Sequence, residues 1–167
     1  MNAIDKDLLI ERFDLSEAGP IPNNQRLPVL VYRGVMGWSD SAHAFERLFQ
    51  RNGWTRSWRN GLYDFHHFHS TAHEVLGIAT GSVRARIGGD SGPVLDLNMG
   101  DVILLPAGTG HKSEGSSDDL LIVGAYDAGR DWDLRRGAED ELNEVRANIA
   151  ALADPGRDPV TGQPLDS

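Results

Sequence analysis

Apolar and polar residues alternate over short stretches through the middle of the chain. In residues 82–87, Val83, Ala85 and Ile87 are apolar and the residues between them are polar, which is the period of a strand with one buried face. Glycine-rich turns such as residues 88–92 separate such segments. The strands predicted between residues 61 and 126 are 63–69, 74–80, 82–87, 94–97, 102–105 and 120–126. This succession of short strands predicts an all-β sandwich or barrel.

The flanking regions contain helical patterns. A strand is predicted at 28–33, and a helix after the N-cap candidates at 39–41, with Gly53 as its end. The apolar face of this helix consists of Ala42, Phe45, Leu48 and Phe49. A second helix is predicted at 138–152, with Leu142, Val145, Ile149 and Leu152 at helical spacing.

These elements predict one domain with three parts. Residues 1–60 form an N-terminal extension whose strand and helix pack on the barrel, and residues 61–126 form the barrel core. Residues 127–167 form a C-terminal helix and an acidic tail. The total of 167 residues is a usual length for a single domain.

Composition narrows the chemistry. The absence of cysteine excludes disulfides, thiolate metal sites and a thiol nucleophile, and leaves histidine and carboxylates as candidate metal ligands. The net charge of −9 disfavours nucleic acid and anionic lipid surfaces as partners. No apolar run has the length of a signal-peptide core or a membrane span, so we expect a cytoplasmic protein without a membrane partner.

Four of the six histidines cluster in residues 66–73. On a strand, His67 and His69 would present their imidazoles to one side, as two metal ligands require, and His66 would face the opposite way. Strict strand parity makes His73 the third ligand. Glu74 reaches the same side only if residues 70–72 form a turn or bulge. The residues alone leave both alternatives open.

Two spaced motifs resemble those of the cupin superfamily. The first consists of Gly61, five residues, His67-Phe68-His69, four residues, Glu74, six residues and Gly81. The second consists of Gly100, five residues, Pro106-Ala107-Gly108, two residues and His111. Gly115 stands where the family usually has a final asparagine, a position that is not a ligand.

The resemblance to cupins implies a double-stranded β-helix, a jelly-roll barrel, with a short N-terminal helix and a C-terminal helix. It implies that His67, His69, Glu74 and His111 hold one divalent ion per chain and leave one or two coordination positions open. Imidazole and carboxylate ligands suit Fe, Mn, Ni, Zn or Cu, and ligand type does not choose among them. Cupin barrels usually pair through their sheets, so a homodimer is expected.

A narrower resemblance is to the YjlB-like group of bacterial single-domain cupins, which has no assigned reaction. The segments that carry this resemblance are 57–61, 67–77 and 131–137.

Several further residues are site candidates. His73 is a candidate for an alternative ligand or a group that hydrogen-bonds a ligand, and otherwise a turn residue. Arg59, Arg84 and Arg86 are candidates for binding a carboxylate or phosphate, although a solvated sheet face is the better explanation of the last two. Trp54, Trp58 and Trp132 could line a ligand pocket or pack in a core or dimer contact.

Three functions follow as hypotheses. The favoured one is a metal-dependent enzyme, dioxygenase-like, that acts on a small anionic or oxygen-rich molecule; an isomerase or decarboxylase is the catalytic alternative. A small-molecule binding or sensing cupin without turnover is the second. A structural or interaction protein is the third, and it gives no reason for four converging ligand-type side chains.

Overall fold

The computed structural model describes residues 8–37 and 41–165. The strands are β1 Leu9–Phe13, β2 Val29–Arg33, β3 Trp54–Asn60, β4 Glu74–Thr80, β5 Ser82–Ile87, β6 Val94–Asn98, β7 Val102–Leu105, β8 His111–Ser116 and β9 Leu121–Asp127. The helices are α1 Ser41–Arg51 and α2 Leu142–Ala151, and a 3-10 turn at Glu139–Glu141 precedes α2. Of the predicted N-cap of α1, Ser39 and Asp40 lie outside the described residues.

The strands form two antiparallel sheets. The larger has the order β1-β2-β7-β4-β9-β3 and the smaller the order β6-β5-β8. Leu76 and Ile78 of the larger sheet share one core with Val83 and Leu97 of the smaller sheet, so the two inner faces pack on each other. The fold is a double-stranded β-helix, and the predicted all-β jelly-roll barrel is confirmed. β1 pairs with β2, and β2 pairs with β7, so both N-terminal strands belong to the larger sheet. The division of the chain into parts at residues 60 and 126 stays a prediction.

Strand β4 is buried on both faces. Leu76 and Ile78 point into the barrel, whereas Val75 and Ala79 belong to a second core beneath α1. This alternation fixes the register of β4, because a shift by one residue would exchange the two faces. Glu74, at the start of β4, is thereby directed to a defined side of the sheet. Neither helix of the described chain has the length and apolar character needed to span a bilayer.

The predicted strands differ from the structure in several places, and neither β1 nor β3 was predicted. Residues 63–69 are not a continuous strand: His67 pairs with His111 and Phe68 pairs with Arg135 as isolated bridges. β8 was not predicted because its sequence, HKSEGS, is polar throughout.

We expect Gly77→Ala to destabilise the fold, because a Cβ at this position would lie 2.8–2.9 Å from ring atoms of Phe45 in α1. Overpacking of this kind costs about 1–3 kcal/mol in the free energy of unfolding. Urea denaturation measures the effect. The control is Gly156→Ala, whose Cβ would meet nothing within 4 Å and which should change stability by less than about 0.5 kcal/mol. Equal stability of the two variants would contradict the packing argument.

Candidate metal centre

Two segments far apart in sequence bring the cupin-motif histidines together. The backbone of His67 exchanges both hydrogen bonds with that of His111, His67 N donating over 3.2 Å and His111 N over 3.0 Å. Glu74 begins β4 and His111 begins β8, so both side chains lie at one end of the barrel. All four motif side chains, those of His67, His69, Glu74 and His111, are at most 7% exposed.

Residues 70–72 bend the chain between His69 and Glu74, whereas the parity argument assumed a continuous strand there. The amides of Ser70 and Thr71 donate to the Asp133 carboxylate over 2.6 and 3.3 Å. The strand is thereby interrupted between His69 and Glu74, which places the Glu74 carboxylate on the side of His69.

Three candidate ligand atoms converge. Atoms of His69, Glu74 and His111 all lie within 4.8 Å of one another. The Glu74 Oε1 atom is 3.3 Å from His69 Nε2 and 3.5 Å from His111 Nε2. The His67 ring lies beside this group, with its centroid 4.2 Å from that of His111.

The tautomer of each histidine follows from its backbone partner. Nδ1 of His67 contacts the carbonyl of Phe65 at 3.1 Å, and Nδ1 of His111 contacts that of Thr109 at 2.9 Å. Nδ1 of His69 contacts the carbonyl of Asp133. Because a carbonyl only accepts, each Nδ1 carries a proton, and in the neutral form of the ring the Nε2 lone pair is kept for another partner.

One of these lone pairs is unpartnered. Among the buried side-chain nitrogen and oxygen atoms of the described residues, only His111 Nε2 has no hydrogen-bond partner. A buried polar atom without a partner is costly, and this nitrogen is oriented to accept a group that the protein itself does not supply. A divalent metal ion fits the donor set of imidazole nitrogen and carboxylate oxygen.

The electrostatics of the cluster keep Glu74 ionised and His67 neutral. Burial lowers the pKa of His67 to about 3, so this imidazole is neutral. Burial alone would raise the pKa of Glu74, but the neighbouring His69 and His111 hold it well below its usual range. Burial opposes protonation of His69, yet the Glu74 charge outweighs it and raises the pKa of His69. Glu74 is therefore a carboxylate.

His73 and His66 point away from the cluster. His73 Nδ1 accepts from the Ala107 amide at 2.9 Å, and its Nε2 donates to the Ala153 carbonyl at 3.0 Å. Both of its nitrogens are occupied, which leaves none for an ion in this arrangement. His66 Nε2 accepts from the Gly89 amide at 3.2 Å.

The cluster forms the floor of a cup of about 480 Å³. The walls are Arg56, Trp58, Asn60, Gly61, Leu62, Tyr63, Leu76, Tyr126, Trp132 and Leu134. Of the three tryptophans named as possible pocket residues, Trp58 and Trp132 line the cup, whereas Trp54 lies in the core beneath α1. The hydroxyl of Tyr126 accepts from Trp58 Nε1 at 3.0 Å. Burial and the nearby Glu74 raise the pKa of Tyr126, so the hydroxyl keeps its proton.

The three arginines named from the sequence do not line the cup. Arg59 binds Glu46 of α1 through two nitrogens, at 2.8 and 2.9 Å. Arg84 and Arg86 bind Asp96 and Glu114 on the outer face of the smaller sheet. The cation at the mouth of the cup is Arg56, which sequence reasoning missed because β3 was not predicted. A β-bulge between Thr55 and Trp58 shifts the side-chain alternation of this strand.

A strap of residues 131–135 crosses from β9 to the site. Its Asp133 supplies the carbonyl for His69 and the carboxylate that orders residues 70–71. Its Trp132 stacks on Tyr126 and lies edge-on to His69, with centroids 5.7 and 5.3 Å apart. The sequence indicated Trp132 as a pocket candidate, but nothing in it indicated that Asp133 orients His69.

Barrel topology, both motifs and the converging histidines define this chain as a cupin. It is 37% identical over 145 residues to the uncharacterized protein YjlB of Bacillus subtilis (strain 168), across 87% of this chain and 86% of YjlB. The chain therefore belongs to the YjlB family. No family model matches it.

The chain also has weaker similarity to several solved structures. Acireductone dioxygenase from Bacillus anthracis, with a cadmium ion in its active centre, has a TM-score of 0.41 and 17% identity, covering 76% of this chain and 81% of that one. A structure of the DMSP lyases RdDddP and RnDddQII has a TM-score of 0.39 and 22% identity, covering 81% and 57%. Procruciferin, the 11S globulin of Brassica napus, has a TM-score of 0.37 and 14% identity, covering 78% and 32%.

Proposed function

We propose that this protein is a metal-dependent, dioxygenase-like enzyme that acts on a small anionic or oxygen-rich molecule. His67, His69, Glu74 and His111 would hold one divalent ion. The observation that carries the proposal is that all three histidines commit Nδ1 to a backbone carbonyl and keep Nε2 for an ion. Ligating histidines in metalloproteins are oriented in this way.

The chemistry follows from the ligand set. Three neutral imidazoles and one carboxylate leave a divalent ion with a net charge of +1, which favours anionic oxygen ligands. When bound, the ion would supply Lewis acidity, and a redox-active one would also supply the means to use dioxygen.

The residues of the cup have separable roles in this proposal. The apolar side chains of Leu62, Leu76 and Leu134 exclude water and accept the apolar part of a ligand. Tyr126 keeps its proton in the cup near Glu74, and its hydroxyl accepts from Trp58 Nε1. A cup of about 480 Å³ suits a small molecule and not a polymer. We also propose the homodimer expected from the sequence, for which light scattering is the direct measurement.

Elemental analysis tests the metal site. Protein purified without chelator or affinity tag should contain about one divalent ion per chain, as four ligand side chains imply. Protein that takes up none of Fe, Mn, Ni, Zn or Cu when each is supplied would contradict the site.

Oxygen consumption tests the reaction. The metal-loaded protein should consume dioxygen with at least one compound from a panel of chelating acids, diketones and phenols. Protein that holds a redox-active ion and consumes none would favour the isomerase, decarboxylase or non-catalytic binding alternatives.

Asp133→Ala should weaken metal binding although Asp133 is not a ligand. The substitution removes the acceptor for the amides of Ser70 and Thr71 and loosens the carbonyl that orients His69. Loss of such a partner costs about 10–100-fold in metal affinity. Competition with a zinc chelator measures this. The matched control is Asp131→Ala in the same strap, whose carboxylate pairs with Arg56 and leaves the His69 turn intact. Equal affinities of the two variants would contradict a positioning role for Asp133.

A further inference from the structure

Arg56 occupies the mouth of the cup in a backbone conformation that a residue with a long side chain rarely adopts. Its φ is +59°, in the left-handed region, within the bulge of β3. Such a conformation costs free energy and persists only where the surrounding structure imposes it, most often at functional sites. Here the bulge places Arg56 on the wall of the cup.

The present partner of Arg56 is weakly held. Its Nη1 lies 2.6 Å from Oδ1 of Asp131, and these side chains are 55% and 88% exposed. An ion pair this exposed adds little stability, because water and salt screen it. A ligand carboxylate in the less hydrated cup can therefore replace Asp131 on the guanidinium.

The other residues that line the cup indicate what kind of ligand would fit between the histidine cluster and Arg56. In the described part of the chain, Arg56 is the only arginine or lysine that lines the cup. Large apolar side chains surround the opening although they are partly exposed: Tyr63 is 54%, Trp132 45% and Leu134 41% exposed. Exposed apolar groups gathered around a concave site are typical of a ligand-binding groove. Tyr63 and Trp132 offer aromatic rings to a planar or apolar body.

We propose that Arg56 binds the carboxylate of the substrate, and that the substrate is a small organic acid with a planar, apolar body. One end carries the oxygen donors for the ion, and the other carries the carboxylate that Arg56 recognises. This substrate class rests on the proposed metal-dependent function, since one end of the ligand needs the ion. Arg56 contributes specificity, and Asp131 is a weak internal competitor for it.

Two probes test this inference; they share the hydroxyl groups that would bind the ion and differ only in carrying a carboxylate or a neutral amide at the end that Arg56 would bind. The full chain is loaded with redox-inert Zn(II), and binding of 3,4-dihydroxybenzoate and 3,4-dihydroxybenzamide is measured by calorimetry. The acid should bind at least about tenfold more tightly than the amide, the size of one charge-assisted hydrogen-bonded contact. Arg56→Gln should reduce this preference to less than about twofold and weaken binding of the acid far more than binding of the amide, since only the carboxylate forms a charge-assisted contact with the guanidinium. Asp131→Asn should increase the affinity for the acid.

Arg84→Gln is the matched control, because Arg84 is an exposed arginine that pairs with Asp96 outside the cup. It should keep the full preference for the acid. Equal binding of the two probes by the wild type, or a preference that survives Arg56→Gln, would overturn the role of Arg56. Zinc-loaded protein that binds neither probe would overturn the substrate class while leaving the metal site intact. Protein that takes up no zinc would instead contradict the proposed function, and the substrate class with it.

Discussion

We expect the His69→Ala/His111→Ala variant to purify without metal, whereas the wild type holds about one ion per chain. The two substitutions remove two of the three atoms that converge within 4.8 Å and leave Glu74 as the remaining member of that group. Loss of an outer partner of a ligand already costs up to about 100-fold in affinity, so the loss of two ligands should exceed that. Elemental analysis after dialysis, followed by zinc titration, measures the effect.

The control for this variant is His43→Ala, which removes an exposed imidazole of α1. It should retain the metal content of the wild type. Circular dichroism should show the same β-rich spectrum for all three proteins, because the barrel core does not include the substituted rings. Stoichiometric metal in the folded double variant would mean that the ion binds elsewhere.

The choice between His73 and Glu74 shows what the sequence can predict about the site and what it cannot. Strand parity from His67 through His69 pointed to His73 and assumed an unbroken strand. The break is caused by Asp133, which lies more than 60 residues later and binds the amides of residues 70 and 71. Local periodicity carries no information about a contact at that separation, whereas the spacing of the cupin motif does.

The structure places Arg84 and Arg86 outside the cup for a related reason. The alternation in β5 correctly separated Val83, Ala85 and Ile87 from Arg84 and Arg86. It did not specify which face points into the barrel, since that depends on where the other sheet packs. The apolar face joins the inner core, so both arginines lie outside. The barrel itself was predictable because strand periods and turn glycines are local.

Acidification should release the metal, and the pKa shifts in the cluster indicate that His69 is the ligand that becomes protonated first. An imidazole binds a cation only in its neutral form, so protons compete with the ion. Burial opposes protonation of His69, but the Glu74 carboxylate raises its pKa above the usual value. His67, with a pKa of about 3, and Glu74, whose pKa is well below its usual range, stay unprotonated through the mildly acidic region.

Affinity for zinc should therefore be constant at alkaline pH. Below the pKa of His69 it should fall at least about tenfold for each pH unit, because at least one proton is taken up as the ion leaves. Chelator competition between pH 8 and pH 5 measures this slope. Glu74→Gln removes the charge that raises the pKa of His69, so this variant should bind zinc more weakly overall and begin to lose affinity only at a lower pH. An affinity that stays flat down to pH 5 would contradict ligation by His69. A fall that begins at the same pH in wild type and Glu74→Gln would mean that Glu74 does not control the protonation of that ring.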